Sequence, residues 1–107
     1  AAAVPAVPDD LVLIDHFTAT AYCTTGTTAT GTYTTVNRTL AVNPSMIPYG
    51  THVLLIFPDG TQLEYVAEDC GSGVNGNRID VFFSDHQAAR VFGVQSAMVY
   101  VGKEDAP

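Results

Sequence analysis

The sequence predicts a mainly β domain, six short strands closed into a small barrel with one short helix. Three observations carry this. Apolar and polar residues alternate with period two in several short stretches. Only one stretch combines helical spacing with helix caps. Turn-forming residues punctuate the chain between these segments.

Each element has its own signal. Between Asp15 and Tyr22, Thr18, Thr20 and Tyr22 fall on one face, and Phe17, Ala19 and Ala21 on the other. Residues 24–35 are dominated by Thr and Gly. Thr favours strands, but Gly26 and Gly31 interrupt the run, so a long polar loop is expected, with at most a short strand near its end. Thr39 to Val42 is a short strand that stops at Asn43-Pro44, and the Pro44 to Gly50 stretch is turn-rich. His52 to Phe57 is apolar and reads as a buried strand. Pro58-Asp59-Gly60 turns it back into Gln62 to Glu68, with Leu63, Tyr65 and Ala67 on one face. Cys70 to Asn77 is a Gly-rich polar loop. Arg78 to Phe83 is a strand with Ile79, Val81 and Phe83 on one face and Arg78, Asp80 and Phe82 on the other. The helix spans Ser84 to Phe92, with a Ser84–Gln87 capping box, Asp85 in its first turn and Gly93 at its end. Ser96 to Val101 is the last strand.

The chain of 107 residues holds one domain and one core. Residues 1–14 open on an uncharged Ala/Pro stretch and read as a linker, as the mature end left by signal cleavage, or as a boundary inside a longer protein. The domain is expected over 15–102, with a tail at 103–107. A net charge of -7 with four Lys and Arg leaves too little basic charge for a nucleic-acid surface or an anionic membrane. No apolar run reaches the roughly 18 residues that span a bilayer. A glycan partner stays open, and a monomer is expected.

Two cysteines, Cys23 and Cys70, are present. An exported domain of this size often carries a disulfide, and a Cys23–Cys70 bond would contribute about 3–4 kcal/mol on the chain-entropy model. The alternatives are two free buried thiols or one catalytic thiol, although no Cys-His signature is present in the sequence. His16, His52 and His86 lack metal-ligand spacing, so neither a metal nor a cofactor is expected. No nucleophile elbow surrounds any serine.

Two carboxylates stand out. Asp69 ends a strand directly before the Gly-rich loop, where sites are commonly built. Asp80 lies inside a strand between Ile79 and Val81, a position carboxylates disfavour. Two neighbouring carboxylates are the minimum for acid–base work on a glycosidic bond, since repulsion and partial burial raise one pKa. The structural alternative is that Asp80 pairs with Arg78 or accepts loop N–H groups.

At larger scale the chain resembles the 3D domain, a family named for three aspartates and found in cell-wall-active proteins. Three segments carry the resemblance: Leu40-Ala41-Val42-Asn43-Pro44-Ser45-Met46-Ile47-Pro48-Tyr49-Gly50-Thr51, then the run from Ala67 to Val81 with its Glu68-Asp69 and Gly76-Asn77-Arg78-Ile79-Asp80 portions, then Phe92-Gly93 before Val99-Tyr100-Val101. Thr18-Ala19-Thr20-Ala21-Tyr22 fits the opening strand. The resemblance implies a double-psi β-barrel related to the catalytic barrel of membrane-bound lytic transglycosylase A, and peptidoglycan as substrate. It further implies non-hydrolytic cleavage to 1,6-anhydro ends by a secreted or cell-wall-associated protein. Asp69 would then be the acid, with Asp80 holding its pKa up or stabilising the transition state. Thr18, Thr20, Tyr22, Asn43, Gly71, Ser72 and Asn77 would bind substrate. Three positions depart from the family pattern. Asn43 stands where the first aspartate is expected, Asn75 where a Lys is usual and Cys70 where a Thr is usual. Two other functions compete: a wall-binding or wall-loosening module without catalysis, and an inverting glycoside hydrolase, whose carboxyl groups stand about 6.5–9.5 Å apart.

Overall fold

The first strand begins earlier than its alternation suggests. In the computed structural model, which describes residues 10–70 and 76–105, β1 runs Leu11–Tyr22. Its pairing register shifts between Leu13 and Asp15, so Ile14 is an extra residue. Val12 and Ile14 pack on the core before this bulge, and Phe17 and Ala19 after it. The inward face therefore changes parity, which a strict period-two reading cannot follow. Residues 11–14, expected in the linker, belong to this strand.

The remaining elements are β2 (Thr39–Ala41), β3 (His52–Ile56), β4 (Gln62–Asp69), β5 (Arg78–Phe82), α1 (His86–Phe92), β6 (Gln95–Gly102) and a final 3-10 turn at Lys103–Asp105. The strands close in the order β1-β5-β2-β4-β3-β6. β1 with β5 and β2 with β4 are parallel, and the other pairs are antiparallel. This six-stranded, mainly β barrel with one α-helix is the expected fold class, and its order is compatible with double-psi connectivity.

The barrel interior is filled by β-branched and aliphatic side chains. Leu40, Val53, Leu55, Ile79, Val81 and Val99 are essentially inaccessible. Removing one of the leucines to Ala costs about 2–5 kcal/mol. Ile47, from the turn-rich segment after β2, is buried with them, so this segment is anchored to the core. The β3–β4 hairpin closes through Phe57 N–H to Thr61 O at 3.0 Å and Gly60 N–H to Phe57 O at 2.9 Å. Gly60, at φ 90°, supplies the left-handed position.

The helix is capped one residue later than expected. Asp85, not Ser84, is the N-cap, and its side chain accepts from Ala88 N–H at 3.1 Å. Its carboxylate also complements the helix dipole, which the Ser84 hydroxyl cannot do. Gly93 ends α1 at φ 65° and donates to Ala89 O, as expected. Phe92 seats the helix through edge contacts to Phe57 and a tilted contact to Phe83, with ring centroids 5.6 and 5.3 Å apart.

The Thr/Gly segment is a small folded lobe rather than an open loop. Thr27 and Tyr33 form an antiparallel bridge. The Thr28 hydroxyl lies 2.7 Å from that of Thr32 and 3.1 Å from that of Thr30. Thr28 and Thr34 are buried. Thr hydroxyls here satisfy one another and the turn backbone, a local use that competes with strand pairing.

The expected Cys23–Cys70 disulfide is not formed; both cysteines are free. β5 and β2 stand between the strands that precede them. Neighbouring strands lie about 4.8 Å apart, whereas a disulfide needs Cα atoms within roughly 7 Å. Each sulfur has another neighbour: Cys23 Sγ lies 3.6 Å from His86 Nδ1, and the Cys70 side chain meets the Tyr49 hydroxyl.

Candidate functional site

The site is built around the shortest strand. Ala41 of β2 pairs with Asp69 of β4 on one side and with Asp80 of β5 on the other. Residues paired across strands share a face, so the two carboxylates flank the Ala41 methyl group. A second bulge produces this alignment. Leu40 pairs with Ala67, and Ala41 with Asp69, so Glu68 is the extra residue of β4. Without the bulge Glu68 would occupy the level of Ala41.

Glu68 is 2% exposed, yet it is satisfied. Arg38 Nε donates to Oε1 at 2.7 Å and Thr39 Oγ1 to Oε2 at 3.0 Å. The Thr lobe lies against the same bulge, with Thr30 N–H donating to Glu68 O at 3.1 Å.

Asp69 is well supplied with donors. Oδ1 accepts from Cys70 N–H at 2.9 Å and from Ala29 N–H of the lobe at 3.1 Å. Oδ2 accepts from Tyr22 Oη at 3.3 Å. Each carboxylate oxygen has room for two donors, and among the described residues Oδ2 has one, Tyr22. Burial raises the Tyr22 hydroxyl pKa first, followed by the Asp69 charge and hydrogen bond, and then by Asp80 and Glu68. Tyr22 therefore stays a neutral donor through the working pH range. The Tyr22 ring is fixed edge-on to Phe82 at 5.4 Å.

Asp80 differs from Asp69. Among the described residues its buried Oδ1 has no hydrogen-bond partner. Burial pushes its carboxyl pKa above the usual carboxylate range, and the Arg78 charge offsets part of the rise. Arg78 does not bond it directly, since its Nη2 points to Thr20 Oγ1 at 3.4 Å. Thr20 in turn donates to Ile79 O at 3.3 Å. A buried oxygen with no donor favours the protonated acid.

The structure thus gathers Thr20, Tyr22, Asp69 and Asp80. Thr18 is exposed one pair-step further along β1, opposite Arg78 rather than Asp80. Asn77 is occupied: its amide donates to Asp15 Oδ2 at 2.7 Å and His16 O at 3.2 Å, and its carbonyl accepts from Thr18 N–H at 2.9 Å. These contacts make it a tether between the loop and β1. The His16 N–H and then the Asn77 amide hold the Asp15 carboxyl below its usual pKa. Asn43 closes its own turn, with Oδ1 accepting from Ser45 N–H at 3.1 Å. Gly71 and Ser72 lie outside the described residues.

Sequence reasoning missed Arg38, Glu68 and the lobe residue Ala29. Nothing local marks them, because a bulge and a docked loop create their roles. The proximity of Cys23 and His86 was likewise hidden, since α1 brings together residues far apart in the chain. Among the described residues no three His, Cys, Asp or Glu side chains converge as metal ligands, and no helix is long and apolar enough to cross a membrane.

Comparison with known proteins adds a second line. The family model described as "3D domain" matches residues 38–103. The cell wall-binding protein YocH of Bacillus subtilis is 37% identical over 92 residues, covering 78% of this chain and 31% of that protein. Among solved structures, LtgG, a lytic transglycosylase of Burkholderia pseudomallei, is 27% identical with a TM-score of 0.59, covering 71% of this chain and 26% of that one. MltA from Escherichia coli superposes with a TM-score of 0.60 at 24% identity, covering 77% of this chain and 28% of that one, a likeness of fold. The chain spans about a third or less of the length of the curated relatives it matches.

Proposed function

Since this chain belongs to the 3D domain family, we propose that it acts on cell-wall peptidoglycan and cleaves the glycan without water, leaving 1,6-anhydro ends. The observation that carries this reading is the pair of carboxylates astride Ala41, with Tyr22 tied to one of them. The likeness to LtgG supports the reaction type.

In this reading Asp69 is the acid–base group and Asp80 its neighbour across Ala41. Burial favours the protonated form of Asp80. Asp69, at the open end of β4, delivers a proton to the glycosidic oxygen as its bond to the anomeric carbon breaks. Positive charge grows on the sugar ring, and the carboxylate opposes it. The sugar's own C6 hydroxyl then attacks the anomeric carbon and gives its proton to Asp69. One C–O bond has broken and one has formed, and the proton is back on the enzyme. Tyr22 and the N–H groups of Ala29 and Cys70 hold the carboxylate in place between the two transfers. Such a substrate puts the action outside the cytoplasmic membrane.

A second reading, a wall-binding module without catalysis, is favoured by the likeness to YocH, a cell wall-binding protein, and by Asn43, which keeps the hydrogen-bonding shape of an aspartate without its charge. One experiment separates the two. Purified chain and its Asp69→Asn variant are incubated with peptidoglycan, and the soluble products are weighed by mass spectrometry. Anhydro-muropeptides from the parent alone uphold the transglycosylase. Products with free reducing ends point to a hydrolase. Wall binding without products leaves the binding module.

A further inference from the structure

The chain has four Lys and Arg against eleven Asp and Glu, so the placement of each cation is informative. Arg38 is paired with Glu68. Arg78 reaches Thr20 and acts on Asp80. Lys103 starts the terminal 3-10 turn beside Glu104 and Asp105. Arg90, in the last turn of α1, is exposed, and among the described residues its guanidinium has no hydrogen bond or ion pair.

Arg90 lines an open groove of about 430 Å³ between the end of β1 and α1, together with Thr20, Tyr22, Cys23, His86 and Val94. The groove starts on the site itself, since Tyr22 bonds Asp69 and Thr20 pairs with Asp80. The end at Thr20 and Tyr22 is lined by uncharged hydroxyl groups, with the aspartates as their partners behind it, and suits a neutral sugar. The other holds a free cation beside Val94, which is 72% exposed. A ligand that fits this polarity is neutral where it meets these hydroxyls and anionic, with apolar side groups, where it meets α1.

We infer that this groove is a subsite for an acidic peptide attached to the glycan, with Arg90 as the ligand of its carboxylate and Val94 against its alkyl groups. The inference rests on the peptidoglycan reading, because that polymer is a chain of uncharged sugar rings whose acidic groups sit on attached peptides. Elsewhere a surface of net charge -7 repels such a peptide. A guanidinium is suited to a carboxylate because it can donate two parallel hydrogen bonds. Arg90 also complements the helix C-terminus, but that role affects stability and not the choice between ligands.

The test measures the affinity of the whole chain for two soluble fragments: a muramyl disaccharide carrying its peptide, and the same disaccharide with the peptide replaced by a methyl amide on the lactyl carboxyl, which leaves it uncharged. The parent is expected to prefer the peptide-bearing fragment by roughly tenfold. In Arg90→Gln the preference falls to about one, and in Arg90→Lys part of it remains, while the loss of the helix-end charge lowers the melting temperature of Arg90→Gln by no more than a few degrees. Equal preference in parent and Arg90→Gln, or no preference in the parent, overturns the subsite while disaccharide binding leaves the wall reading standing. Failure of both fragments to bind the parent overturns the wall reading, and the subsite with it.

Discussion

Tyr22 and Asp69 are joined by a hydrogen bond of 3.3 Å although two other strands separate β1 from β4 in the barrel order. The phenol thus links β1 to β4 across the width of two intervening strands. Tyr22→Phe removes only the hydroxyl and keeps the edge contact to Phe82. A stability loss of about 1–2 kcal/mol is expected for a half-buried bond to a charged group. If the phenol positions the acid, the rate of anhydro-product formation falls by roughly tenfold or more at unchanged wall binding. Urea titration and product analysis on the same preparation check both, and an unaltered rate would remove Tyr22 from the mechanism.

Asp80 predicts a pH dependence of stability. Its folded pKa lies above the ordinary value of 3.8. The folded state therefore binds the proton more tightly than the unfolded chain. The Asp80 contribution is fully present below 3.8 and is lost as pH rises through the raised folded value. Asp80→Asn removes this loss. Urea midpoints of parent and variant should coincide near pH ~3 and separate by about pH 7, with the variant the more stable. A parent more stable at both pH values would show that Asp80 is satisfied by a partner.

Much of this site could be read in the sequence, and the unread part has a physical cause. Asp69 and Asp80 were found because one ends a strand before glycines and the other interrupts an apolar strand. Tyr22 shares a face with Thr18 and Thr20, and the family resemblance is what makes it a candidate for the site. The bulges at Ile14 and Glu68 were invisible, because each makes the inward face change parity with no turn residue to mark it. The Thr lobe was hidden for another reason: its hydroxyls pair with one another, and composition does not specify partners. The resemblance makes Asn77 a candidate ligand residue, and the structure engages its amide with Asp15 and His16, a pairing that nothing local in the sequence marks.

The free thiols give a direct check. With Cys23 beside His86 and Cys70 beside Tyr49, a colorimetric thiol assay on unfolded, never-reduced protein should count both cysteines. Dithiothreitol should leave the melting temperature unchanged. A disulfide closing so long a loop would instead lower stability by about 3–4 kcal/mol on reduction.

Arg38 and Glu68 link stability to the site. The Glu68 side chain is almost fully buried, while that of Arg38 is 53% exposed. Arg38→Gln removes the cation from the buried Glu68 carboxylate and, among the described residues, leaves the neutral Thr39 hydroxyl as its side-chain donor. The half-exposed cation places the cost below that of a fully buried pair, at about 2 kcal/mol. Because Thr30 N–H rests on the Glu68 carbonyl and Ala29 N–H on Asp69, the lobe should loosen as well. Amide hydrogen exchange at Ala29 and Thr30 should accelerate in the variant more than at Leu40 or Ile79 in the barrel interior.

Ala41 sets the space between the carboxylates. It is 3% exposed and pairs with both aspartates, so any larger side chain enters the gap. Ala41→Val suits a strand by propensity, but overpacking should cost about 1–3 kcal/mol. Ala41→Gly tests the opposite change, opening the gap at the backbone cost of a glycine in a strand. If the gap admits the glycosidic bond, Val should cut product formation by far more than Gly at comparable loss of stability. Equal rates for the two variants would mean that the sugar never reaches the floor of the site. A parallel loss of rate and of folded fraction would reduce Ala41 to a packing residue.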